Sequence, residues 1–132
     1  MGLNALNHYT IRPVDLEATK DFYVNVLGLE VGYRPPLGFP GYWLYCGGQP
    51  TVHLIGARER DAHIPRERAR TGLLDHIAFS CTGLREMRAR LAKHGVQYEE
   101  QVVPRDRQTQ IFLYDPDGIA VELNYPPEET SA

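Results

Sequence analysis

The feature that most constrains the fold is an internal repeat that covers nearly the whole chain. Residues 42–54 align with residues 111–123 at an offset of 69, which places Val52 on Val121. An offset of 68 aligns the beginnings of the two halves and places His8 on His76. Repetition of this length indicates one supersecondary unit that is used twice and shares a core.

Each half predicts the element order βαβββ. Hydrophobic spacing and turn residues place the first unit's strands at residues 6–12, 29–34, 42–45 and 51–55. Its helix follows Asp15, a capping residue, and ends at Gly28. The second unit has strands at residues 74–81 and 96–103, a helix marked by Leu84, Met87 and Leu91 that Gly95 closes, and a strand–turn–strand at residues 111–125.

These elements predict an α+β fold of paired βαβββ modules that form a cupped, partly open mixed β-sheet barrel with helices on the outside. The 132 residues suffice for a single domain, with repeats at about residues 5–56 and 73–126. An arginine-rich segment, residues 57–72, is expected to link them. Its arginines could clamp a substrate carboxylate, or the segment could be a solvated loop. Residues 128–132 are expected to be a frayed tail.

Composition limits the binding partners and the cellular location that can be expected. A net charge of −3 gives no reason to expect nucleic acid or an anionic membrane as a partner. No apolar run approaches the ~20 residues of a membrane helix, and the first ten residues do not resemble a signal peptide. Two cysteines make no disulfide framework, so a cytoplasmic location is expected. Cys81 lies on an apolar strand face, which favours a core position.

One carboxylate lies in an unusual place. Asp115-Pro116-Asp117-Gly118 predicts a tight turn, and the strand after it alternates. Glu122 shares a strand face with the small Ala120 and the polar Asn124, whereas the opposite face is apolar. A carboxylate in such a position is a candidate metal ligand or base.

Three histidines occupy equivalent places. His8 and His76 lie on the first strands of the two units, and His53 aligns with Glu122 on the last strands. His63 and His94 share none of this phasing and are expected on the surface. Imidazole and carboxylate donors of this kind suit a first-row divalent metal, so the sequence predicts a metal site of His8, His53, His76 and Glu122. The alternative for His53 is a lining residue that never touches the metal.

Three segments carry a family resemblance: LNHYTIRPVDLEATKDFYVNVLGLE, LDHIAFS and FLYDPDGIAVEL. They resemble the vicinal oxygen chelate superfamily, which includes glyoxalase I, methylmalonyl-CoA epimerase, extradiol dioxygenases, and fosfomycin- and bleomycin-resistance proteins. The resemblance implies two βαβββ modules around one divalent metal (Fe, Ni, Zn, Co or Mn) that a small substrate chelates through two neighbouring oxygens. It also implies a homodimer, which open sheet edges make reasonable.

By the same resemblance, His8, His76 and Glu122 match the common ligands, and Glu122 is the expected catalytic base. His53 falls where glyoxalase I has a glutamate and the epimerase a glutamine. The expected activity is a metal-dependent lyase or isomerase of the glyoxalase type. One alternative is an Fe(II) extradiol dioxygenase, although Phe112 stands where those enzymes typically have a tyrosine. Another is a metal-free small-molecule binding or resistance protein.

Overall fold

The computed structural model describes residue 2, residues 5–57, residue 74 and residues 76–130. The chain divides into two compact units, Met1–Glu67 and Arg68–Ala132. Each unit contains one βαβββ module, so the predicted α+β fold of paired modules is confirmed. The proposed linker lies mostly outside the described residues, as does His63. That the two units form a single domain stays a prediction.

The first module contains β1 (Tyr9–Ile11), α1 (Leu16–Asp21), β2 (Glu30–Gly32), β3 (Gly41–Cys46) and β4 (Gln49–Ile55). Its mixed sheet has the order β1-β4-β3-β2, and β1 pairs with β4 in parallel. Asp15 caps α1 by accepting a 3.0 Å hydrogen bond from the amide of Ala18. A π-helical turn, Phe22–Val26, continues the helix until Gly28, whose φ of 83° ends it.

The second module repeats this order with β5 (Ile77–Ser80), α2 (Leu84–Lys93), β6 (Glu99–Val102), β7 (Thr109–Tyr114) and β8 (Ala120–Tyr125). Its sheet has the order β5-β8-β7-β6, with β5 and β8 parallel. The buried side chains of Leu84 and Leu91 mark the inner face of α2, as the sequence predicted.

Strand register confirms the repeat residue by residue. Tyr9 lies opposite Val52, and Ile77, which is 68 positions later, lies opposite Val121. The hairpins obey the second offset, because Trp43 pairs with His53 and Phe112 pairs with Glu122. Equivalent residues therefore have equivalent strand neighbours in the two modules.

The predicted sheet faces are also confirmed. Val52 and Leu54 on β4 are buried, while His53 between them is only half-buried on the opposite face. On β8 the apolar face of Val121, Leu123 and Tyr125 is buried. The apolar face of each strand is buried, so the opposite face carries the polar side chains that could act in a site, His53 on β4 and Glu122 on β8.

The turn before β8 forms as expected. The amide of Gly118 donates to the carbonyl of Asp115 at 3.0 Å, and the Asp115 side chain accepts from the amides of Asp117 and Ile119 at 2.8 and 2.9 Å. Gly118 has a φ of 84°. The turn thus fixes where β8 begins and which face Glu122 occupies.

The predicted strand ends need several corrections. Strands expected at residues 6–12, 29–34, 74–81 and 96–103 are shorter at both ends, whereas β4 begins at Gln49 and not at residue 51. The turn that precedes β4 needs only Gly47 and Gly48, which both have positive φ. Pro50 fits within β4 because the pairing with β3 shifts register between Leu44 and Tyr45.

The expectation of a frayed C-terminal tail was wrong for the described part of it. Pro127–Glu129 forms a 3₁₀ turn, and the Glu129 carboxylate accepts hydrogen bonds of 2.9–3.1 Å from the amides of Gly83 and Leu84. Thr130 donates to the carbonyl of Arg107. These hydrogen bonds hold the tail, and Glu129 in turn caps α2, whose N-cap residue, Gly83, has no side chain to do so.

Candidate functional site

Each module brings its two predicted ligands into contact with one another. His8 lies two residues before Thr10, which is the β1 partner of His53. His76 lies two residues before Ala78, which is the β5 partner of Glu122. The sequence placed both histidines on the first strands, but each lies one residue before its strand, β1 or β5. Each still reaches the residue on the last strand, because the His8 ring stacks on the His53 ring and the His76 imidazole lies beside the Glu122 carboxylate.

In the second module, His76 and Glu122 form a polar pair. The Nε2 atom of His76 lies 3.3 Å from Oε1 of Glu122. The His76 side chain is 39% exposed and that of Glu122 is 10% exposed. A ligand from solvent can therefore reach the imidazole, while the carboxylate is held within the sheet face.

Two amides fix the Glu122 carboxylate from its other side. Gln110 donates to Oε2 at 3.3 Å, and Asn124 donates to the same oxygen at 3.2 Å. The Gln110 amide is itself oriented, because its oxygen accepts a 2.7 Å hydrogen bond from Gln101 on β6. The network leaves Oε1 as the oxygen that faces His76.

The sequence did not identify Gln110 and Gln101 as members of this network. Register supplies the missing signal, since Gln110 pairs with Asn124 and lies two residues from Phe112, the partner of Glu122. Side chains alternate along a strand, so counting by twos backward from Phe112 along β7 could have placed Gln110 on the same face as Glu122.

In the first module, the His53 ring lies in a stack of three aromatic rings. The His8 ring is 3.8 Å from it, centroid to centroid, with planes 12° apart. The Trp43 ring is 4.1 Å from it, with planes 9° apart. Strand order places β1 and β3 on opposite sides of β4, so His8 and Trp43 cover opposite faces of His53.

Hydrogen bonds orient both imidazoles. His53 Nε2 lies 2.9 Å from the carbonyl oxygen of Pro50, and His8 Nδ1 lies 2.7 Å from Oδ1 of Asn7. Burial, followed by the nearby charge of His8, lowers the pKa of His53 below its usual value of 6.5. His53 is therefore a neutral ring near pH 7.

The residues fit a divalent metal unequally. His76 and Glu122 have the spacing of two adjacent ligands on one ion at about 2.1 Å from each donor. His8 has the outer hydrogen bond at Nδ1 that typically orients a metal-bound histidine and leaves Nε2 to ligate. His53 Nε2 is already engaged with a carbonyl. Within each module, the described residues gather two such donors and not three.

The remaining expectations have simpler outcomes. His94 is exposed at the end of α2, as predicted for a surface residue. Cys46 and Cys81 are both half-buried, and neither forms a disulfide. Among the described residues, no helix is long and apolar enough to cross a membrane.

This architecture defines a class of protein with two βαβββ modules, each presenting a histidine and a second donor on one sheet face. The chain matches the family model for the Glyoxalase/Bleomycin resistance protein/Dioxygenase superfamily over residues 5–123. It belongs to this superfamily, which confirms the resemblance seen in the sequence.

Individual relatives agree with the assignment. Glyoxylase I 4 of Arabidopsis thaliana is 31% identical over 93% of this chain and 71% of its own length. The mitochondrial methylmalonyl-CoA epimerase of Bos taurus is 29% identical over 92% of this chain and 74% of its own length. A glyoxalase family protein from Bacillus anthracis has a crystal structure that matches with a TM-score of 0.73 at 22% identity, over 96% of this chain and 98% of that one.

Proposed function

We propose that the protein is a metal-dependent lyase or isomerase of the glyoxalase type, acting on a small substrate with two neighbouring oxygens. One divalent metal (Fe, Ni, Zn, Co or Mn) would be held by His8, His76 and Glu122, within one chain or across a homodimer. The observation that carries the proposal is the His76–Glu122 pair, 3.3 Å apart, with its carboxylate oriented by two amides.

The relatives support the reaction type. A glyoxalase I and an epimerase by name are both similar to this chain along most of its length. For this chain we propose the movement of a proton at a carbon next to an oxygen-bearing carbon. A bound metal would supply Lewis acidity at the two substrate oxygens and so make that C–H bond more acidic.

The chain's own residues would move the proton. Glu122 accepts it from one carbon and returns it to the neighbouring carbon, so that no proton is gained or lost overall. The hydrogen bonds from Gln110 and Asn124 to Oε2 hold the carboxylate in place during both transfers. Because one carboxylate both ligates and accepts the proton in this scheme, its basicity is reduced by the metal, and the substrate must be correspondingly acidic.

Deuterium exchange tests this function without knowledge of the substrate. Metal-loaded protein in D₂O is incubated with α-hydroxy ketones, hemithioacetals of α-ketoaldehydes and malonyl thioesters, and NMR follows deuterium at the reacting carbon. We expect exchange with at least one class, and we expect Glu122→Gln to lose exchange at least 100-fold while excess metal restores much of its occupancy. Equal losses of occupancy and exchange across a metal titration would remove the base role.

The second candidate is an Fe(II) extradiol dioxygenase. Two histidines and one carboxylate with open positions are the ligand set of such enzymes. Phe112, which pairs with Glu122, provides no hydroxyl at the position where those enzymes typically have one. Oxygen uptake with catechols by the Fe(II)-loaded protein, without deuterium exchange, would favour this candidate over the first.

A cytoplasmic location remains part of the proposal. It is supported by the two cysteines, because neither forms a disulfide, as is usual in a reducing compartment.

A further inference from the structure

The His53 ring is clamped on both faces, which restricts how it can meet a metal ion. His8 from the β1 side and Trp43 from β3 stack on it with centroid distances of 3.8 and 4.1 Å. Near-parallel rings this close must lie in separate layers, because coplanar rings at the same centroid distance would overlap. His53 thus occupies the middle layer of a three-ring stack.

The hydrogen bond at Nε2 fixes the protonation of the His53 ring. The carbonyl oxygen of Pro50 can only accept a hydrogen bond, so Nε2 carries the proton that joins the two atoms over 2.9 Å. In the neutral ring only Nδ1 then has a lone pair. Ligation through Nε2 would require the loss of this hydrogen bond and a rotation out of the stack.

The stack also prevents His8 and His53 from sharing one ion in this arrangement. An imidazole donates its lone pair in the plane of its ring, to a metal about 2.0–2.1 Å away. With planes only 12° apart and in separate layers, an ion in the plane of His8 lies well outside the plane of His53. One ring can ligate, and the other cannot do so at the same time.

We infer that His53 is a positioning residue and not a ligand: its ring, held by Trp43 and the Pro50 carbonyl, fixes the orientation of His8, which alone ligates from the first module. This inference rests on the proposed metal site and sets its protein ligands at three. His8 is suited to the task, because Asn7 engages its Nδ1 and the lone pair lies at Nε2.

The consequence is an asymmetry between the two repeats. The second module contributes two donors and the first contributes one, although the four positions are equivalent in register. A six-coordinate ion would keep three positions open, enough for both substrate oxygens and a water molecule. Two neutral imidazoles and one carboxylate leave a divalent centre with a net charge of +1, which favours substrates that bind as enolates or catecholates.

Matched variants separate the two roles of the ring. His53→Phe keeps a ring that can stack but has no lone pair, while His8→Phe makes the same change at the proposed ligand. Competition with a chromogenic chelator is used to measure zinc affinity and stoichiometry. We expect His53→Phe to bind one zinc per chain within about threefold of wild type, whereas His8→Phe should lose at least tenfold in affinity.

A third variant tests positioning. His53→Ala removes the ring from between His8 and Trp43, so its affinity should fall by about tenfold, and rescue by phenylalanine at the same position would show that stacking is the cause. If His53→Phe instead loses as much affinity as His8→Phe, the ring is a ligand and the inference fails.

The wild-type protein provides a measurement that needs no substitution. Imidazole ¹⁵N NMR should show a proton on His53 Nε2 before and after zinc addition, with an unchanged Nδ1 resonance, while His8 Nε2 shifts on binding. A zinc-dependent shift at His53 comparable to that at His8 would overturn the inference. If wild type binds no zinc, the proposed metal site fails. A proton on His53 Nε2 would then support only the hydrogen bond that holds the ring to the Pro50 carbonyl. An Nε2 without a proton would overturn that hydrogen bond as well.

Discussion

At the scale of single residues, the proposed site includes groups that hold the donors as well as the donors themselves. Glu122 is buried on a strand face, and its Oε2 accepts from Gln110 and Asn124. His53 is held by the Pro50 carbonyl, and His8 by Asn7. Such partners restrict the rotamers of the donors, so binding of the proposed metal would cost less conformational entropy.

Gln110 offers a direct test of this support. Gln110→Leu keeps the side-chain volume but removes the amide that donates to Glu122, so we expect metal affinity to fall by about tenfold. Chelator competition measures the change. Gln101→Leu is the matched control, because Gln101 contacts Gln110 and not Glu122, and its effect should be smaller. Superimposable titration curves for wild type and Gln110→Leu would show that the amide does not support the site.

At the scale of elements, the sequence determined the order of strands and helices but not all their ends. Alternation and turn residues correctly predicted the faces of β4 and β8. Strand length was less accessible, because it depends on where pairing with a neighbouring strand stops. The 3₁₀ turn after Pro126 was also missed, since a polar tail gives no local sign that a distant helix needs its carboxylate.

The contact between Glu129 and α2 leads to a prediction of stability. Glu129 accepts from the amides of Gly83 and Leu84 at the start of a helix that has no side-chain cap of its own. Glu129→Ala leaves these amides without that acceptor, and we expect the free energy of unfolding to fall by about 1 kcal/mol. Urea denaturation measures the difference.

Glu128→Ala is the matched control for this experiment. Glu128 is exposed, and its replacement changes the net charge by the same amount. If both variants lose the same free energy, the effect belongs to charge and not to capping.

At the scale of the whole molecule, the repeat was the most informative feature of the sequence. It predicted two βαβββ modules, and the register shows that residues 68 or 69 positions apart do occupy equivalent places. The same equivalence suggested four like metal ligands. Alignment of the two halves could not show that the His53 ring lies between two other rings, because stacking depends on side chains from the neighbouring strands. On one of these strands, Trp43 in the first module corresponds to Phe112 in the second.

The central claim is that His8, His76 and Glu122 hold one divalent metal ion, and elemental analysis tests it most directly. Protein purified without chelators, loaded with metal and dialysed is compared with His76→Ala and with His94→Ala, a control at an exposed histidine. We predict one metal per chain in wild type and His94→Ala, and close to none in His76→Ala. A His76→Ala protein that retains as much metal as wild type would contradict the claim.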